Sequence, residues 1–430
     1  MPQEQKPYAA PRLRVERRHS AQTIRRRRRL WVAGLLALAV LGGTAAAYVH
    51  LNGNLRTVDL APEAAGAEGR AQEGPINILV LGSDTRSSAA DCKIGGDCGP
   101  RTHATSGGAA ASGNADVEML VHVSADRSHA SVVSIPRDTV LDLPACRNPS
   151  SGLMTPARRD RINSTLQDGP NCTVSAVHRL TGVRIDHFVL VDFAGVVTMS
   201  NAIGGVQVCV SKAVYDPYSH LKLSKGSHTL QGLPALEFLR TRHGFGDGSD
   251  VGRSGAQHLF LTSMLRKIES AATLTNPVAV YNLADAATKA VTVDTGIGSV
   301  QSLTELAAEL SKVPSEQIAF MTMPTAPNPR NSATVVPAPS AQALFSRIAA
   351  DQPLTSPKKK ATASSSATPK GTGRPSPSPS AGTQGLPPAV TTASSQCASV
   401  SRDRSVTLNG TAMSPTRAYR LSQDVPDSAP

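Results

Sequence analysis

Acidic and basic side chains stand at the ends of two apolar runs, where they could bind a phosphate and a divalent cation. Asp84 and Arg86 follow the apolar run 76–81, and Asp116 immediately precedes the apolar run 117–124. Ligand sites in α/β sheets are built at strand ends, so these side chains could lie together. Mg²⁺ is usually held by one or two carboxylates plus phosphate oxygens. Asp84 and Asp116 are therefore a candidate magnesium pair.

Arginines that follow other apolar runs are candidate phosphate ligands. Pro136 ends one run, because proline cannot donate to a strand ladder, and it leaves Arg137 and Asp138 at a rigid exit. Arg240 and Arg242 are two residues apart and share a face if the chain is extended there. The planar guanidinium group suits bidentate capture of phosphate oxygens.

The helix predicted after these arginines carries polar residues on its apolar stripe. On a helix, the side chain of Arg253 lies on the same face as those of Gln257, Phe260, Leu261, Met264 and Ile268. Polar groups on a buried stripe must be partnered or must line a cavity. The helix N-terminus adds partial positive charge, so Arg240, Arg242 and Arg253 together predict an anion site.

Phosphoryl transfer is the chemistry that these groups support. Positioning and charge neutralisation supply most of the catalysis in such reactions. The sequence contains no GxSxG elbow, no GKS/T phosphate loop and no Cys–His nucleophile motif.

The net charge of +12 over 430 residues is concentrated at the two ends of the chain. Residues 1–29 carry +8 and residues 352–430 carry +6, which leaves −2 for the rest. A DNA-binding domain with a broad cationic face is therefore excluded from the body of the protein. Aromatic residues make up 3% of the chain, too few for a base-stacking platform, so no nucleic-acid partner is expected.

An uncharged segment after an arginine run predicts a membrane anchor. Residues 30–49 contain no charge and would span about 30 Å as a helix. The arginines at 25–29 should stay in the cytoplasm, which places residues 51–430 outside the cell membrane. A cleaved signal peptide is the alternative, but the apolar run and the extension before it are long for one.

Six cysteines on the predicted outer side favour disulfides in an oxidising compartment. Cys92 and Cys98 could close a tight loop, and Cys146 and Cys172 bracket a loop-like segment. Zinc is the alternative, although no CxxC or HxxxH spacing supports it.

Composition divides the chain into five parts: a basic cytoplasmic tail (1–29), a transmembrane helix (30–50), a linker (51–74), a catalytic domain (75–351) and a disordered Ser/Thr/Pro/Ala-rich tail (352–430).

Strand-like runs are predicted at 76–81, 117–124, 130–135, 187–192, 206–210 and 318–323. They alternate with helix-like stretches at 174–180, 193–202, 233–238, 252–272, 278–290, 299–310 and 340–349. Interleaved strands and helices predict an α/β domain. Residues 87–113 are expected to form a long surface loop.

These motifs, in this order behind one N-terminal span, resemble the LytR-CpsA-Psr family of bacterial envelope phosphotransferases. The resemblance covers about residues 75–325 and rests on NILVLGSDTR (77–86), ADVEMLVHV (115–123), SIPRDTV (134–140), RIN (161–163), TGVRIDHFVLVDFAG (181–195), AIGGVQV (202–208), LKLSKGSHTLQGLPALEFLRTRH (221–243) and SDVGRSGAQ (249–257). It implies one extracytoplasmic α/β domain with a mixed central sheet flanked by helices. It also implies transfer of a glycopolymer phosphate from a polyprenyl-pyrophosphate carrier, held in a hydrophobic tunnel, to a hydroxyl of peptidoglycan.

The resemblance assigns roles to matching positions. Asp84 and Asp116 match the magnesium-binding carboxylates. The groups expected to act on the pyrophosphate are Arg137, Arg240, Asp250 and Arg253, with Arg86, Arg242 and Gln257 binding the substrate. Either Asp250 or Asp138 could serve as the base toward the acceptor hydroxyl.

Two positions depart from the family pattern, which commonly has arginine in place of Asn114 and Ala256. Loss of two cations could weaken pyrophosphate binding by about 1–3 kcal/mol for each charged hydrogen bond removed. These departures favour one alternative function, non-catalytic binding of a wall polymer. Hydrolysis of the lipid pyrophosphate, with water in place of the wall hydroxyl, is a second alternative.

Overall fold

An eight-stranded mixed sheet lies at the centre of the structure, which is a computed structural model. It describes residues 13–66, 74–83, 113–149, 151–248, 250–270, 275–354, 390–391 and 397–429. The sheet order is β1-β14-β9-β2-β3-β4-β15-β18. The strands are β1 (Arg56–Val58), β2 (Ile76–Ser83), β3 (Ala115–Val123), β4 (Ala130–Ile135), β5 (Val140–Leu143), β6 (Cys146–Arg147), β7 (Met154–Thr155), β8 (Arg158–Arg161), β9 (His187–Val191), β10 (Val206–Val210), β11 (Val214–Tyr215), β12 (Lys222–Leu223), β13 (Gly226–Leu230), β14 (Val291–Asp294), β15 (Ile318–Thr322), β16 (Thr325–Pro327), β17 (Val335–Pro337), β18 (Val390–Thr391), β19 (Val406–Leu408) and β20 (Thr411–Met413).

Helices cover both faces of this sheet. The helices within the described residues, whether or not they pack on the sheet, are α1 (Leu13–Asn54), α2 (Pro62–Ala65), α3 (Pro170–Thr181), α4 (Phe193–Ala202), α5 (Leu233–Arg240), α6 (Asp250–Glu269), α7 (Pro277–Ala290), α8 (Val300–Leu310), α9 (Pro339–Ala349) and α10 (Pro415–Leu421). Short 3₁₀ helices span Ile162–Asp168, Thr295–Ile297 and Ser315–Gln317.

The sheet is mixed, as expected. Strand pairs β1–β14, β9–β2 and β4–β15 are parallel, while β14–β9, β2–β3, β3–β4 and β15–β18 are antiparallel. All six residues of β4 are buried, which is typical of a strand covered on both faces. The prediction of an α/β domain is confirmed.

The main hydrophobic core lies between one face of the sheet and helices α3 and α9. Leu79, Leu120 and Phe188 on the strands pack there against residues such as Val177 and Phe345 on the helices. A second core, around Val208 and Phe238, joins the antiparallel pair β10–β13 to α5 and α6. The run 206–210 therefore forms a strand as predicted, but outside the central sheet.

Two compact units divide the chain, Met1–Gly53 and Asn54–Pro430. The first contains nearly all of α1. Among the described residues, no helix combines the length and the apolar content needed to cross a bilayer.

Residues 397–429 are folded, so the prediction of a disordered tail over 352–430 is wrong for this part. Val406, Met413 and Ala418 pack with Tyr215 in a small core, and a disulfide joins Cys397 to β10. A composition average hides this segment, because its few apolar residues follow a long Ser/Pro-rich stretch. Residues 355–389 lie outside the described residues.

The predicted Cys146–Cys172 disulfide is confirmed. The Cys209–Cys397 disulfide was not predicted, because its partners are 188 residues apart. Cys92 and Cys98 lie outside the described residues, as does nearly all of the predicted loop 87–113.

Candidate active site

A cavity of about 940 Å³, including its open mouth, lies between the sheet and helices α4, α5 and α6. Its walls are almost wholly apolar and consist of Val80, Leu81, Val117, Met119, Val191, Val196, Met199, Leu236, Leu239, Phe260, Leu261 and Met264. Its polar lining residues are Ser83, Asp116, Asp192, Ser200, Arg240, Arg253 and Gln257. The cavity can therefore hold a long apolar group beside a charged one.

The N-terminal part of α6 contributes the charged end of the cavity. Arg253 and Gln257 are 4% and 5% exposed, and the next turns of the helix add Phe260, Leu261 and Met264 to the same lining. The predicted helical stripe, in which polar residues run into apolar ones, is confirmed for these five residues.

Hydrogen bonds fix the two polar side chains of α6. Arg253 Nη2 donates to the backbone oxygen of Asp116 at 2.8 Å, and Gln257 Nε2 donates to the backbone oxygen of Leu239 at 3.1 Å. These bonds tie α6 to the start of β3 and to the last turn of α5. The apolar wall and the charged cluster are thus joined at α6.

The carboxyl end of β2 lies beside the start of β3, as the strand-end argument predicts. Ser83 pairs with Ala115, and the register shifts between Gly82 and Ser83. A Cβ atom on Gly82 would lie 2.9 Å from Cβ of Val117, so this close approach requires glycine. Ser83 and Asp116 both line the cavity and offer the oxygen ligands that a hard cation prefers.

Arg137 lies where the sequence places it, at the exit of β4. Its Nη1 donates to Oδ1 of Asp116, and its Nε lies 3.7 Å from Oδ2 of Asp138. The strand ends at Ile135, directly before Pro136. The Arg137 guanidinium therefore lies between two carboxylates.

Asp138 joins three arginines and is 6% exposed. Arg242 Nη2 donates to its Oδ2 at 2.8 Å, Arg161 Nη1 donates to its Oδ1 at 3.4 Å, and Arg137 is the third. Arg161, the last residue of β8, was given no role in the sequence analysis. Only its position in the RIN motif (161–163) pointed to a role for Arg161 in the site.

Arg240 and Arg242 do not share the face of an extended segment. Arg240 is the last residue of α5 and lines the cavity, whereas Arg242 lies beyond the extended residue Thr241 and binds Asp138. The amphipathic helix 233–240 continues two residues further than predicted and changes the direction of Arg240.

His243 is a further residue that the sequence analysis missed. Its backbone N–H donates to Oδ2 of the buried Asp216 at 3.1 Å, and its ring lies 4.6 Å from that of Tyr218. Burial lowers the pKa of His243, with Arg242 adding to this effect and Asp216 opposing it. A neutral imidazole therefore lies next to the arginine cluster.

Three predicted site positions are not seen in full. Asp84 and Arg86 lie outside the described residues, and Asp250 is placed only as the first residue of α6.

The two departures from the family pattern have local explanations. The side-chain oxygen of Asn114 accepts a hydrogen bond from Gln167 Nε2 at 2.8 Å. Ala256 is 3% exposed and packs in the second core. In this chain, position 256 faces an apolar cluster.

Comparison with known proteins gives the family. Residues 47–349 match the model of the LytR_cpsA_psr family. The chain is 30% identical over 307 residues to the cell wall biosynthesis protein LcpA of Corynebacterium glutamicum, covering 68% of this chain and 56% of LcpA. It is 24% identical over 256 residues to the polyisoprenyl-teichoic acid–peptidoglycan teichoic acid transferase TagU of Bacillus cereus, covering 57% of this chain and 73% of TagU.

A solved structure, protein gbs0355 of Streptococcus agalactiae, shares the fold with a TM-score of 0.51 at 19% identity, covering 68% of this chain and 91% of that one. The chain spans little more than half the length of the corynebacterial relative. The family match takes in every strand and helix that forms the cavity. The chain belongs to the LytR-CpsA-Psr family.

Proposed function

We propose that this protein transfers a glycopolymer phosphate from a polyprenyl-pyrophosphate carrier to a hydroxyl group of peptidoglycan. The observation that carries the proposal is the apolar cavity that meets Arg240, Arg253, Gln257 and Asp116 at one end of α6. A polyprenyl chain suits the apolar walls, and a pyrophosphate suits the arginines. The names of LcpA and TagU, which refer to cell wall biosynthesis and to transfer of teichoic acid to peptidoglycan, agree with this chemistry.

The arginines would act by neutralising charge. Arg240 and Arg253 are positioned to bind pyrophosphate oxygens, and the negative charge that builds up on the leaving polyprenyl phosphate favours their contacts in the transition state. Arg137 and Arg242 are oriented by Asp138 and extend the cationic surface. The acceptor hydroxyl attacks phosphorus, the bond to the polyprenyl phosphate breaks, and the hydroxyl proton passes to a base.

Asp250 is the better candidate for that base. Asp138 is buried, and its two oxygens already contact three arginines, so they are less available to an acceptor hydroxyl. Asp250 lies at the start of α6, three residues before Arg253.

Magnesium is part of the proposal. The oxygen donors Asp116 and Ser83 line the cavity together, and Asp84 directly follows Ser83 in the sequence. These hard ligands fit Mg²⁺, with Asp84 and Asp116 holding it. When bound, Mg²⁺ would neutralise pyrophosphate charge.

We also infer a cell-membrane location with one anchor. Residues 30–49 are uncharged and follow five arginines, which would orient the catalytic domain outside the cytoplasm. Extraction of membranes with alkaline carbonate should leave the full chain in the pellet. Recovery of the full chain in the soluble fraction would contradict the anchor.

The assay that tests the function uses the full chain in detergent with Mg²⁺, a short-chain polyprenyl-pyrophosphate saccharide and peptidoglycan fragments. Mass spectrometry should detect polyprenyl phosphate together with a glycan phosphate linked to peptidoglycan. Polyprenyl phosphate with free phosphorylated sugar would show hydrolysis instead. Tight donor binding without either product would show a binding protein and reject both enzymatic functions.

A further inference from the structure

Two histidines and an aspartate form a cluster away from the active site. Ring nitrogens of His122 and His129 and a carboxylate oxygen of Asp351 all lie within 4.8 Å of one another. His122 is near the end of β3, whereas Asp116 is near its start, so about 20 Å of strand separates the cluster from the cavity. The cluster joins the β3–β4 turn to the residues that follow α9.

The hydrogen bonds of His122 orient its ring. Its Nδ1 lies 2.7 Å from Oδ1 of Asn77, and its Nε2 lies 2.9 Å from Oδ1 of Asp351. With the Nδ1 proton donated to Asn77, the neutral ring directs the lone pair of Nε2 toward a carboxylate. A cation held by both groups removes this repulsion.

His129 supplies an independent observation. Its Nδ1 lies 3.1 Å from Oγ of Ser128, while its buried Nε2 has no hydrogen-bond partner among the described residues. The residue is 9% exposed, so this nitrogen is shielded from solvent without a partner. Leaving a buried polar atom unsatisfied costs about 1–3 kcal/mol, and a metal bond would satisfy it.

Hydrogen bonds also orient the carboxylate of Asp351. Its Oδ2 accepts a hydrogen bond from the backbone N–H of Ala125 at 3.1 Å, while Oδ1 faces His122. Its side chain is 32% exposed, which leaves a path for an ion and room for a water ligand. Metal-binding histidines and carboxylates usually have such outer partners, here Asn77, Ser128 and Ala125.

We propose that His122, His129 and Asp351 bind one Zn²⁺ ion, with water as the fourth ligand. Two imidazoles and one carboxylate are a common zinc ligand set, whereas Mg²⁺ and Ca²⁺ require more oxygen ligands than one aspartate offers. The ion would tie the β3–β4 turn to the end of α9. It has no part in the phosphate chemistry.

The test is metal binding by the full chain in detergent after chelator treatment and dialysis. Calorimetry should show one Zn²⁺ bound, and Co²⁺ should give the intense visible absorption of a tetrahedral site. Zn²⁺ should also raise Tm, because it binds only the folded state. Absence of stoichiometric Zn²⁺ binding and of the tetrahedral Co²⁺ spectrum in the wild-type protein would overturn the proposal.

Substitutions assign the binding to this cluster. Asp351→Asn suits the backbone φ of 55°, which asparagine tolerates, and His129→Gln removes the unpartnered nitrogen. Each should weaken Zn²⁺ binding by about tenfold or more and abolish the Co²⁺ spectrum.

Two control variants should bind Zn²⁺ as the wild type does. His187→Gln alters another His–Asp pair, with His187 Nδ1 3.1 Å from Asp294, and Asp116→Asn alters the proposed magnesium site. If Asp351→Asn and His129→Gln both bind Zn²⁺ as the wild type does, the assignment is rejected. It is also rejected if Asp116→Asn is the only variant that loses Zn²⁺ binding.

Discussion

Asp138 organises the arginine cluster, although its own side chain is buried beside the cavity. It binds Arg242 at 2.8 Å and Arg161 at 3.4 Å, and it lies 3.7 Å from Arg137. Asp138 therefore helps to orient Arg242 and also Arg137, which binds Asp116 as well. Its effect on the reaction is expected to pass through these arginines.

Asp138→Asn should lower kcat/KM by about 10–100-fold, because a neutral amide orients the guanidinium groups less well than a carboxylate does. The substitution keeps the shape of the side chain, so the protein should remain folded. Because we propose Asp250 as the base, the acidic limb of the pH–rate profile should remain. Disappearance of that limb would identify Asp138 as the base instead. Asp142→Asn is the matched control, because Asp142 pairs with one arginine on the surface.

Arg253 is the buried cation that joins the charged and apolar parts of the cavity. Arg253→Ala should lower kcat by about 100-fold or more, since loss of one preorganised charged donor costs about 3 kcal/mol in the transition state. Arg253→Lys should recover only part of this, because lysine cannot form two parallel hydrogen bonds. Arg266→Ala, on the exposed part of the same helix, should leave turnover unchanged. A wild-type rate in Arg253→Ala would show that the reaction occurs elsewhere.

At the level of elements, α6 joins the cavity to the sheet through a buried histidine. His258 is 2% exposed, its Nε2 lies 2.7 Å from Oγ of Ser134, and its ring lies 5.5 Å from that of Phe320. Burial lowers the pKa of His258 to about 4 from an ordinary 6.5. The unfolded chain therefore binds a proton more readily than the folded one between these pH values.

His258 should make stability fall as the pH drops from 6.5 toward 4, with no further loss from this group below pH 4. Between pH 7 and pH 5 its contribution to the free energy of unfolding should decrease by about 2 kcal/mol. Denaturant titrations at both pH values should therefore show a smaller decrease for His258→Gln than for the wild type. Equal decreases in the two proteins would contradict the neutral, buried state of His258.

The elements that the sequence predicts best are those with strong periodicity. The strand 130–135 and the helix 193–202 have the predicted bounds, and the stripe of α6 follows from spacing alone. These patterns are local in the sequence. The order of strands in the sheet cannot be predicted from local patterns, because it depends on which apolar faces pack together.

The parts of the site that were missed depend on contacts between distant segments. Asp138 binds Arg161 and Arg242, which are 23 and 104 residues away from it in the sequence. A local sequence pattern cannot predict contacts between residues so far apart in the chain. Arg240 was misplaced for a different reason. The helix that precedes it ends later than its apolar pattern suggests, as is common at helix ends.

At the scale of the whole molecule, the cationic C-terminal region is partly a folded surface. Four of its nine Lys/Arg residues, Arg402, Arg404, Arg417 and Arg420, are exposed on the folded segment 397–429. This segment also contacts the turn that precedes α6. The backbone N–H of Gly246 donates to the backbone oxygen of Ser399 at 2.8 Å, and Ser405 Oγ donates to the backbone oxygen of His243 at 2.6 Å.

The Cys209–Cys397 disulfide should therefore support both stability and activity, because it anchors the segment that holds the turn between Arg242 and α6. Replacement of both cysteines by alanine should lower the free energy of unfolding by about 2–4 kcal/mol, as measured by denaturant titration. It should also raise KM for the lipid-linked donor at a temperature where the variant is folded, because the N-terminus of α6 is held less firmly. Loss of the Cys146–Cys172 disulfide, which ties β6 to α3, is the matched control and should reduce stability with little change in KM. If both double variants lose stability but neither changes KM, the C-terminal segment stabilises the fold without positioning the active site.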